Sequence, residues 1–220
     1  MVRLTARATF LAACLTLIPL LSHASEPLVT AAGMGANYLN YVNTQKSTSQ
    51  GLNQEVRYQF ASAGMFVFVD LIKYFTLYAG YRVPVGPVQA TVIGPSDQVT
   101  ITFDYGIGLF DIGAEAKYPF RLNSWFTAAP KLGLEGVYYM TGTLGGRDPG
   151  TDGKTIFSPI LLSLGADLDF DVAPQVFVRI PIDLGIGLNS RLKESNYEGE
   201  TNVSTSIVSG KIGCVVGYLY

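Results

Sequence analysis

The charged residues that could do chemistry in this sequence alternate with apolar residues. Asp167 and Asp169 are two residues apart, and Arg179 and Asp183 are four apart, each within a run in which every second residue is apolar. Residues two apart in an extended strand point to the same face. The spacing therefore predicts cations and carboxylates side by side on one face of a sheet, where they can form ion pairs or contact a charged solute.

Catalytic groups are sparse by comparison. The only histidine is His23, which lies in an N-terminal segment that we expect to be removed. Without histidine, no nucleophile and base of the usual kinds can be paired, so we expect no catalytic residues. Residues 145–154 contain two aspartates among glycines but lack the closing Glu of a calcium loop. We therefore expect neither a metal site nor a cofactor.

The N-terminus has the pattern of a secretory signal peptide. Arg3 and Arg7 precede an apolar stretch over residues 10–21, and small residues lead up to Ala24. A membrane anchor is the alternative, but the stretch is too short to span about 30 Å of hydrocarbon and contains Pro19. We expect cleavage after Ala24.

Cleavage would leave residues 25–220 as one domain with 13 Lys and Arg against 17 Asp and Glu, a net charge of −4. This balance argues against a nucleic-acid surface, which needs clustered cations. The remainder contains no run of 18 apolar residues, which argues against a transmembrane helix. The 24 Gly and 25 Phe and Tyr of the chain favour strands and turns.

Apolar and polar residues alternate in eight segments separated alternately by long polar and short connections. We predict an all-β fold, an eight-stranded antiparallel up-and-down transmembrane β-barrel with its polar face inward. A soluble β-sandwich would also alternate. In the fourth segment the apolar set changes phase near residues 110–112, from Ile107 and Leu109 to Ile112 and Ala114. We expect a bulge there, with both sets on the apolar outer face. The predicted strands cover about residues 30–42, 56–69, 75–83, 99–118, 126–140, 160–170, 176–188 and 208–220.

Aromatic residues gather beside the short connections, as expected for the girdle of a membrane barrel. The sequence ends with Tyr220 in the apolar phase of its last strand, which resembles the C-terminal signal that barrel-assembly machinery reads. The predicted girdle comprises Tyr74, Phe75, Tyr118, Phe120, Trp125, Phe126, Phe170, Phe177, Tyr218 and Tyr220.

With the polar face inward, charged residues of both signs enter the lumen. One interpretation is a paired network that fixes register and fills the lumen, since unpaired buried charges are costly. The other is a binding or conduction path for a small solute. The predicted luminal residues are Arg82, Asp104, Lys131, Glu135, Asp167, Asp169, Arg179, Asp183 and Lys211.

From about Thr30 to Tyr220 this layout resembles the small eight-stranded outer-membrane barrels, especially the outer membrane protein W type. Members of that type are thought to pass small hydrophobic molecules, whereas the X type is linked to adhesion. The resemblance implies a protein of the bacterial outer membrane, in contact with its lipid and with the barrel-assembly machinery. It leaves two functions open: a narrow conduit for small, possibly hydrophobic, molecules, and a closed surface barrel whose loops contact host or envelope partners.

Overall fold

The computed structural model describes residues 28–49, 52–94, 97–103, 105–144, 146–148, 150, 158–188 and 200–220. The predicted signal peptide with its cleavage site at Ala24, and the predicted luminal residue Asp104, lie outside these ranges. Within the described ranges, no helix is long and apolar enough to cross a membrane. The described chain forms eleven strands: β1 Val29–Ser49, β2 Leu52–Leu71, β3 Phe75–Pro84, β4 Val88–Ile93, β5 Gln98–Phe103, β6 Tyr105–Lys117, β7 Phe120–Arg121, β8 Phe126–Leu144, β9 Ile160–Ala173, β10 Val176–Gly187 and β11 Glu200–Leu219.

Eight of these strands close into a ring. β1 pairs with both β2 and β11, and the ring runs β1–β2–β3–β6–β8–β9–β10–β11 with every pairing antiparallel. β4 follows β3 and pairs with β2, while β5 precedes β6 and pairs with β4. β3 matches the predicted third strand, and β5 and β6 occupy the predicted fourth strand. β4 lies in the polar connection that was predicted between those two strands. The predicted eight-stranded antiparallel barrel is confirmed.

The barrel exterior is an apolar belt. Outward side chains from all eight strands are large, apolar and exposed, and a soluble protein rarely shows so wide an apolar surface. Representative members, one from each strand, are Met34, Met65, Leu77, Ile112, Leu134, Leu164, Ile182 and Ile212. Outward positions carry no Asp, Glu, Lys or Arg over residues 32–42, 61–71, 75–83, 106–116, 126–140, 160–172, 176–188 and 206–218.

The interior is layered along the barrel axis. One apolar layer contains Tyr41, Phe60, Ile107, Leu109 and Val137 among its buried members. A second buried apolar cluster, nearer the other end, includes residues such as Phe68, Tyr78 and Phe177. Buried charged residues fill the space between and around them. The core of the protein is therefore the lumen itself, as expected for a barrel of eight strands.

The fourth predicted strand differs from expectation. Ile107 and Leu109 are each 1% exposed and point inward, on the same face as Asp111 and Glu115. The assignment of Ile107 and Leu109 to the outer face is therefore wrong. The inner face of this strand changes from apolar to charged residues. Every second residue from 107 to 117 nevertheless continues to point inward. An irregularity does occur nearby, as a register shift between Gly108 and Leu109 in the pairing of β6 with β8.

The two ends of the barrel differ in their connections. At the end that we call the turn end, β2 joins β3 through residues 72–74 and β9 joins β10 through residues 174–175. Ile72 and Lys73 have φ of 44° and 54° there. This left-handed pair is held by hydrogen bonds from Ile72 N to Leu28 O at 2.9 Å and from Lys73 N to Thr30 Oγ1 at 3.0 Å. At the opposite end, which we call the loop end, β1 and β2 remain paired as far as Ser49 and Leu52.

Candidate functional site

The candidate site is a continuous group of charged side chains inside the barrel, which we call the luminal network. Seven strands supply its charged members, and β1 contributes Asn37 as a hydrogen-bond acceptor. The alternation of each strand turns these side chains inward while their apolar neighbours form the belt. Its charged members are Asp70, Arg82, Asp111, Glu115, Lys117, Lys131, Glu135, Asp167, Asp169, Arg179, Asp183 and Lys211.

Arg82 holds together the part of the network nearest the apolar layer that contains Tyr41 and Leu109. Its guanidinium lies 2.6 Å from Asp111 Oδ2 and 3.0 Å from Glu135 Oε1. It also donates to Asn37 Oδ1 at 2.9 Å. The Arg82 side chain is fully buried. Four strands are thereby joined across the lumen through one planar group, which can serve several acceptors at once.

Lys131 lies at the centre of the network. Its ammonium nitrogen is 3.1 Å from Glu115 Oε2, 2.9 Å from Asp167 Oδ1 and 3.0 Å from Asp183 Oδ1. Three carboxylates therefore share one ammonium. Lys211 adds a second cation, 2.8 Å from Glu135 and 3.5 Å from Asp183.

Arg179 organises the part nearest the turn end. It lies 2.8 Å from Asp70 Oδ2 and 2.7 Å from Asp169 Oδ1. Its guanidinium carbon is 4.7 Å from the ring centroid of Phe68 and 5.0 Å from that of Phe177. The cation is thus held by carboxylates and by aromatic rings together. A Lys–Asp pair completes this part, with Lys117 Nζ 2.8 Å from Asp70.

Glycines leave room for these large side chains. A Cβ at Gly64 would lie 2.6 Å from Arg82 Cγ, and one at Gly33 would lie 2.6 Å from the Phe68 ring. A Cβ at Gly217 would meet the ring of Phe177. The abundance of glycine in the sequence therefore reflects close approach inside a narrow lumen as well as turns.

Little open space is left within the network. A cavity of about 20 Å³ is bordered by Glu115, Lys131, Asp167 and Asp183, among others. That volume suits about one water molecule. Among the described residues, the carboxylate oxygens of Asp167 and Asp183 accept no hydrogen bond, although both groups are ion-paired. The charged side chains therefore lie close together around this small cavity.

Sequence reasoning located most of this network. All the predicted luminal residues that the structure describes belong to it, and Asp104 alone lies outside the described ranges. It missed Asp70, Asp111, Glu115 and Lys117. Asp111, Glu115 and Lys117 alternate with the outward residues Ile112, Ala114 and Ala116, so the spacing of two places all three inward. The unbroken spacing of two from 107 to 117 would have revealed them.

A wider vestibule opens at the turn end. Its volume is about 480 Å³, and its lining includes Lys73, Lys117, Arg121, Asp171 and Arg179. Arg179 and Lys117 are also members of the luminal network. The vestibule therefore ends against the charged groups that fill the lumen.

Most of the predicted aromatic girdle lies around the turn end. Tyr74 stacks on Tyr118 with a centroid distance of 6.0 Å, and Phe126 stacks on Phe170 at 5.0 Å. Trp125 stacks on Phe170 at 6.1 Å. Of the remaining members, Phe75 is half-buried, and Phe120, Tyr218 and Tyr220 are exposed.

One girdle assignment is wrong. Phe177 is 2% exposed and packs inside the lumen against Phe68, with a centroid distance of 6.2 Å. It occupies the same face of β10 as Arg179 and Asp183. The alternation of β10 already places it inward, and proximity to a short turn was the weaker signal.

Beyond the apolar layer that contains Tyr41 and Leu109, the strands continue towards the loop end. We call this part the outer extension; it comprises the loop ends of β1, β2 and β11 together with β4 and β5. Its surface carries charged side chains together with the exposed apolar residues Val99 and Ile101. Glu55 forms ion pairs with Arg57 at 2.8 Å and Lys46 at 3.4 Å. The hydrogen bond from Arg57 lowers the pKa of Glu55. β5 pairs with β4 on one edge, and no described strand pairs with its other edge.

The fold is similar to those of two solved outer-membrane proteins. The structure resembles the outer membrane protease OmpT from Escherichia coli with a TM-score of 0.50 and 8% identity, covering 88% of this chain and 97% of that one. It resembles the outer membrane protein OprG from Pseudomonas aeruginosa with a TM-score of 0.50 and 9% identity, covering 87% and 96%. This chain has the fold of an outer-membrane β-barrel. No protein-family profile matches the sequence. No curated protein matches it either.

At such low identity the likeness of this outer-membrane-type barrel to OmpT and OprG shows the fold alone. The chemistry must be read from its own residues. In the described part of the chain, no group of three or more His, Cys, Asp or Glu side chains is arranged to hold a metal ion. The observed carboxylates face ammonium and guanidinium groups instead. Such an arrangement can fix strand register, fill the lumen and resist the passage of ions.

Proposed function

We propose that this protein is a closed barrel of the bacterial outer membrane that acts through its outer extension, as a surface structural or interaction protein. The observation that carries this proposal is the luminal network, which crosses the barrel and joins side chains from all eight strands. The role proposed is one of contact, with no catalytic step.

The apolar belt supports membrane embedding. Its exposed residues include Met65, Leu164 and Leu184, each more than 60% exposed. In water this surface would favour aggregation, whereas in hydrocarbon it removes apolar area from water at about 25 cal/mol per Å². Short turns at one end and longer strands at the other match the usual arrangement, in which turns face the periplasm. The outer extension then lies at the cell surface.

The network supports a closed lumen. A solute passing the level of Lys131 would have to separate it from three carboxylates, all of which are nearly fully buried. Removing one partner from a buried ion pair costs about 3–5 kcal/mol. The apolar layer around Leu109 and Tyr41 adds a second barrier to ions.

The outer extension supports a contact role. Pairing of β1 with β2 continues seven residues beyond Val42, the last apolar outward residue of β1, which is about 23 Å along the strand. Along the edge of β5 with which no described strand pairs, Val99, Thr100 and Ile101 are exposed. An edge strand of this kind can accept another extended chain. Host and envelope proteins are the partner classes that this location implies.

Conductance tests the closed lumen. We expect purified, heat-modifiable protein to produce no current steps in planar lipid bilayers. Insertion is verified in the same preparation by protection of the belt from protease. Stable single-channel steps from inserted protein would refute a closed barrel.

A second candidate function is a conduit for small hydrophobic molecules between the loop end and the membrane. Backbone pairing of β3 with β6 stops at Arg82 and Leu109, and pairing of β4 with β5 resumes at Val88 and Phe103. Among the described residues, no ladder pairing joins residues 83–87 to 105–108. This gap lies beside the apolar layer, since Val88 and Leu109 belong to that layer.

Uptake tests the conduit. Gly106 borders the gap, and a Cβ built there meets no heavy atom within 4 Å, so Gly106→Trp introduces a bulky ring at the gap. If the conduit operates, saturable uptake of a small labelled apolar compound by intact cells falls in this variant. Gly210→Trp, at another outward glycine with its nearest atom 4.0 Å away, is the control. Equal uptake by both variants and the parent would exclude the conduit.

A further inference from the structure

We propose that one sector of the turn end binds the headgroup of an anionic glycerophospholipid, with Lys73 and Arg121 supplying the positive charge that attracts its phosphate. This proposal rests on the membrane embedding proposed above, which places the turn end at the inner leaflet of the outer membrane. Its basis is a pair of cations, the aromatic surface that joins them, and a shallow groove in the adjoining belt.

The cations of the turn end are confined to this sector. Lys73 is exposed in the β2–β3 turn, and Arg121 in β7 has a side chain that is 66% exposed. Both line the vestibule. They are the only exposed Lys or Arg side chains that the structure describes at the turn end, since the β9–β10 turn and residues 28–30 and 219–220 carry none. Positive charge is therefore localised beside the end of the belt.

An aromatic surface connects the two cations. Lys73 Nζ lies 5.4 Å from the ring centroid of Tyr74. Tyr74 stacks on Tyr118 at 6.0 Å, and Tyr118 contacts Phe120 at 4.8 Å, next to Arg121 in the chain. Tyrosine rings favour the depth of lipid headgroups, and cations at that depth attract anionic lipid. The order cation, aromatic rings, cation suits a phosphate held at the membrane surface.

The belt beside this surface is shaped for an acyl chain. Ala114 and Ala116 point outward from β6, and both are exposed. Larger residues flank them on both sides: Ala114 pairs with Leu77 and Leu134, and Ala116 pairs with Phe75 and Leu132. Small residues between rows of larger ones form a shallow groove along β6. The groove leads to Tyr118 and hence to the proposed headgroup position.

The cations are held in place before any lipid binds. Arg121 donates to Ser124 O at 2.7 Å and to Asn123 O at 3.2 Å, which fixes the guanidinium against the β7–β8 turn. The Lys73 backbone is fixed by its bond to Thr30. For Arg121 the structure describes a competing carboxylate, Asp171, at 3.4 Å. That pair is solvent-exposed and of little energetic weight, so a phosphate can still approach.

Trp125 reports on this site because it is the only tryptophan of the chain and lies in the turn that Arg121 bonds to. The experiment reconstitutes the full protein into phosphatidylcholine vesicles that contain a phospholipid brominated near its headgroup. Brominated phosphatidylglycerol and brominated phosphatidylcholine are titrated separately, and the quenching of Trp125 fluorescence is recorded. We expect half-maximal quenching at a several-fold lower mole fraction of the anionic lipid.

The variant Lys73→Gln with Arg121→Gln should remove this preference and leave quenching by brominated phosphatidylcholine unchanged. Arg57→Gln, which removes an exposed cation from the outer extension, should retain the preference. Equal quenching by the two lipids in the parent, or a preference that persists in the double variant, would overturn the lipid site. Quenching by neither lipid would instead contradict membrane embedding of Trp125, and with it the proposed function.

Discussion

Lys131 is the residue on which the centre of the luminal network depends most. Its ammonium lies within 3.1 Å of oxygens from Glu115, Asp167 and Asp183. Other cations are more distant: Lys211 lies 3.5 Å from Asp183, and Arg179 and Lys117 lie 3.5 and 3.6 Å from Asp167. The network contains five cations and seven carboxylates, so the remaining cations cannot replace it. A buried ion pair adds little net stability when complete, yet loss of one partner is costly.

The substitution Lys131→Met tests this asymmetry. It preserves most of the side-chain volume and leaves three carboxylates without their shared cation, so the free energy of unfolding should fall by about 3–5 kcal/mol. Urea titration of the protein in detergent micelles or vesicles measures it. Lys46→Met is the control, because Lys46 is 64% exposed in its pair with Glu55 and should change stability by less than about 1 kcal/mol. Equal effects of the two substitutions would show that the luminal charges are solvated.

At the scale of the elements, alternation predicted what depends on backbone geometry alone. The eight-strand count and the inward face of β8, β9 and β10 follow from a period of two. The sequence could not predict which residue type would occupy each level of the lumen, because both apolar and charged side chains are buried there. Ile107 and Asp111 share one face, and a rule that places apolar residues outside must fail for one of them.

Long-range pairing was equally inaccessible to sequence reasoning. Asp70 joins Arg179 over 109 residues of sequence, and no local pattern links the two positions. The break between β3 and β4 at Pro84 and Pro87 has a local cause, since proline lacks the backbone donor of a ladder. Its consequence, a gap opposite Gly106, depends on how β4 and β5 pair with their neighbours. The eight strands of the ring were thus predictable, whereas β4, β7 and the contacts across the lumen were not.

Contact of the apolar belt with hydrocarbon predicts a loss of stability when a charge is placed on the outer face of β9. Leu164 points outward near the middle of this strand and is 65% exposed. If the belt contacts hydrocarbon, Leu164→Arg should destabilise the folded barrel by about 2–4 kcal/mol. Folding into vesicles, followed by urea titration, measures the change. Gln59→Arg places the same residue on an outward position above the belt and should be close to neutral. A neutral Leu164→Arg would mean that the belt does not contact hydrocarbon.

At the scale of the whole molecule, the barrel has three chemically distinct zones along its axis. The turn end has aromatic rings and two exposed cations, the middle has an apolar exterior around a charged interior, and the loop end has an extension of paired strands with charged side chains. A bilayer with different leaflets imposes an order of this kind, since each zone meets a different solvent. In the proposed orientation, the loop end is the end that meets partners outside the cell.

The orientation of the barrel in the outer membrane can be tested by labelling its two ends. Single cysteines are introduced at Val99 in β5 and at Gln175 in the β9–β10 turn, in a background where the outward-facing Cys214 is replaced by serine. Both positions are exposed. A membrane-impermeant maleimide should label Val99→Cys on intact cells, because the outer extension projects from the membrane. It should label Gln175→Cys only after the outer membrane is permeabilised. The reverse pattern would invert the barrel, place the outer extension in the periplasm and direct its β5 edge towards envelope partners in place of external ones.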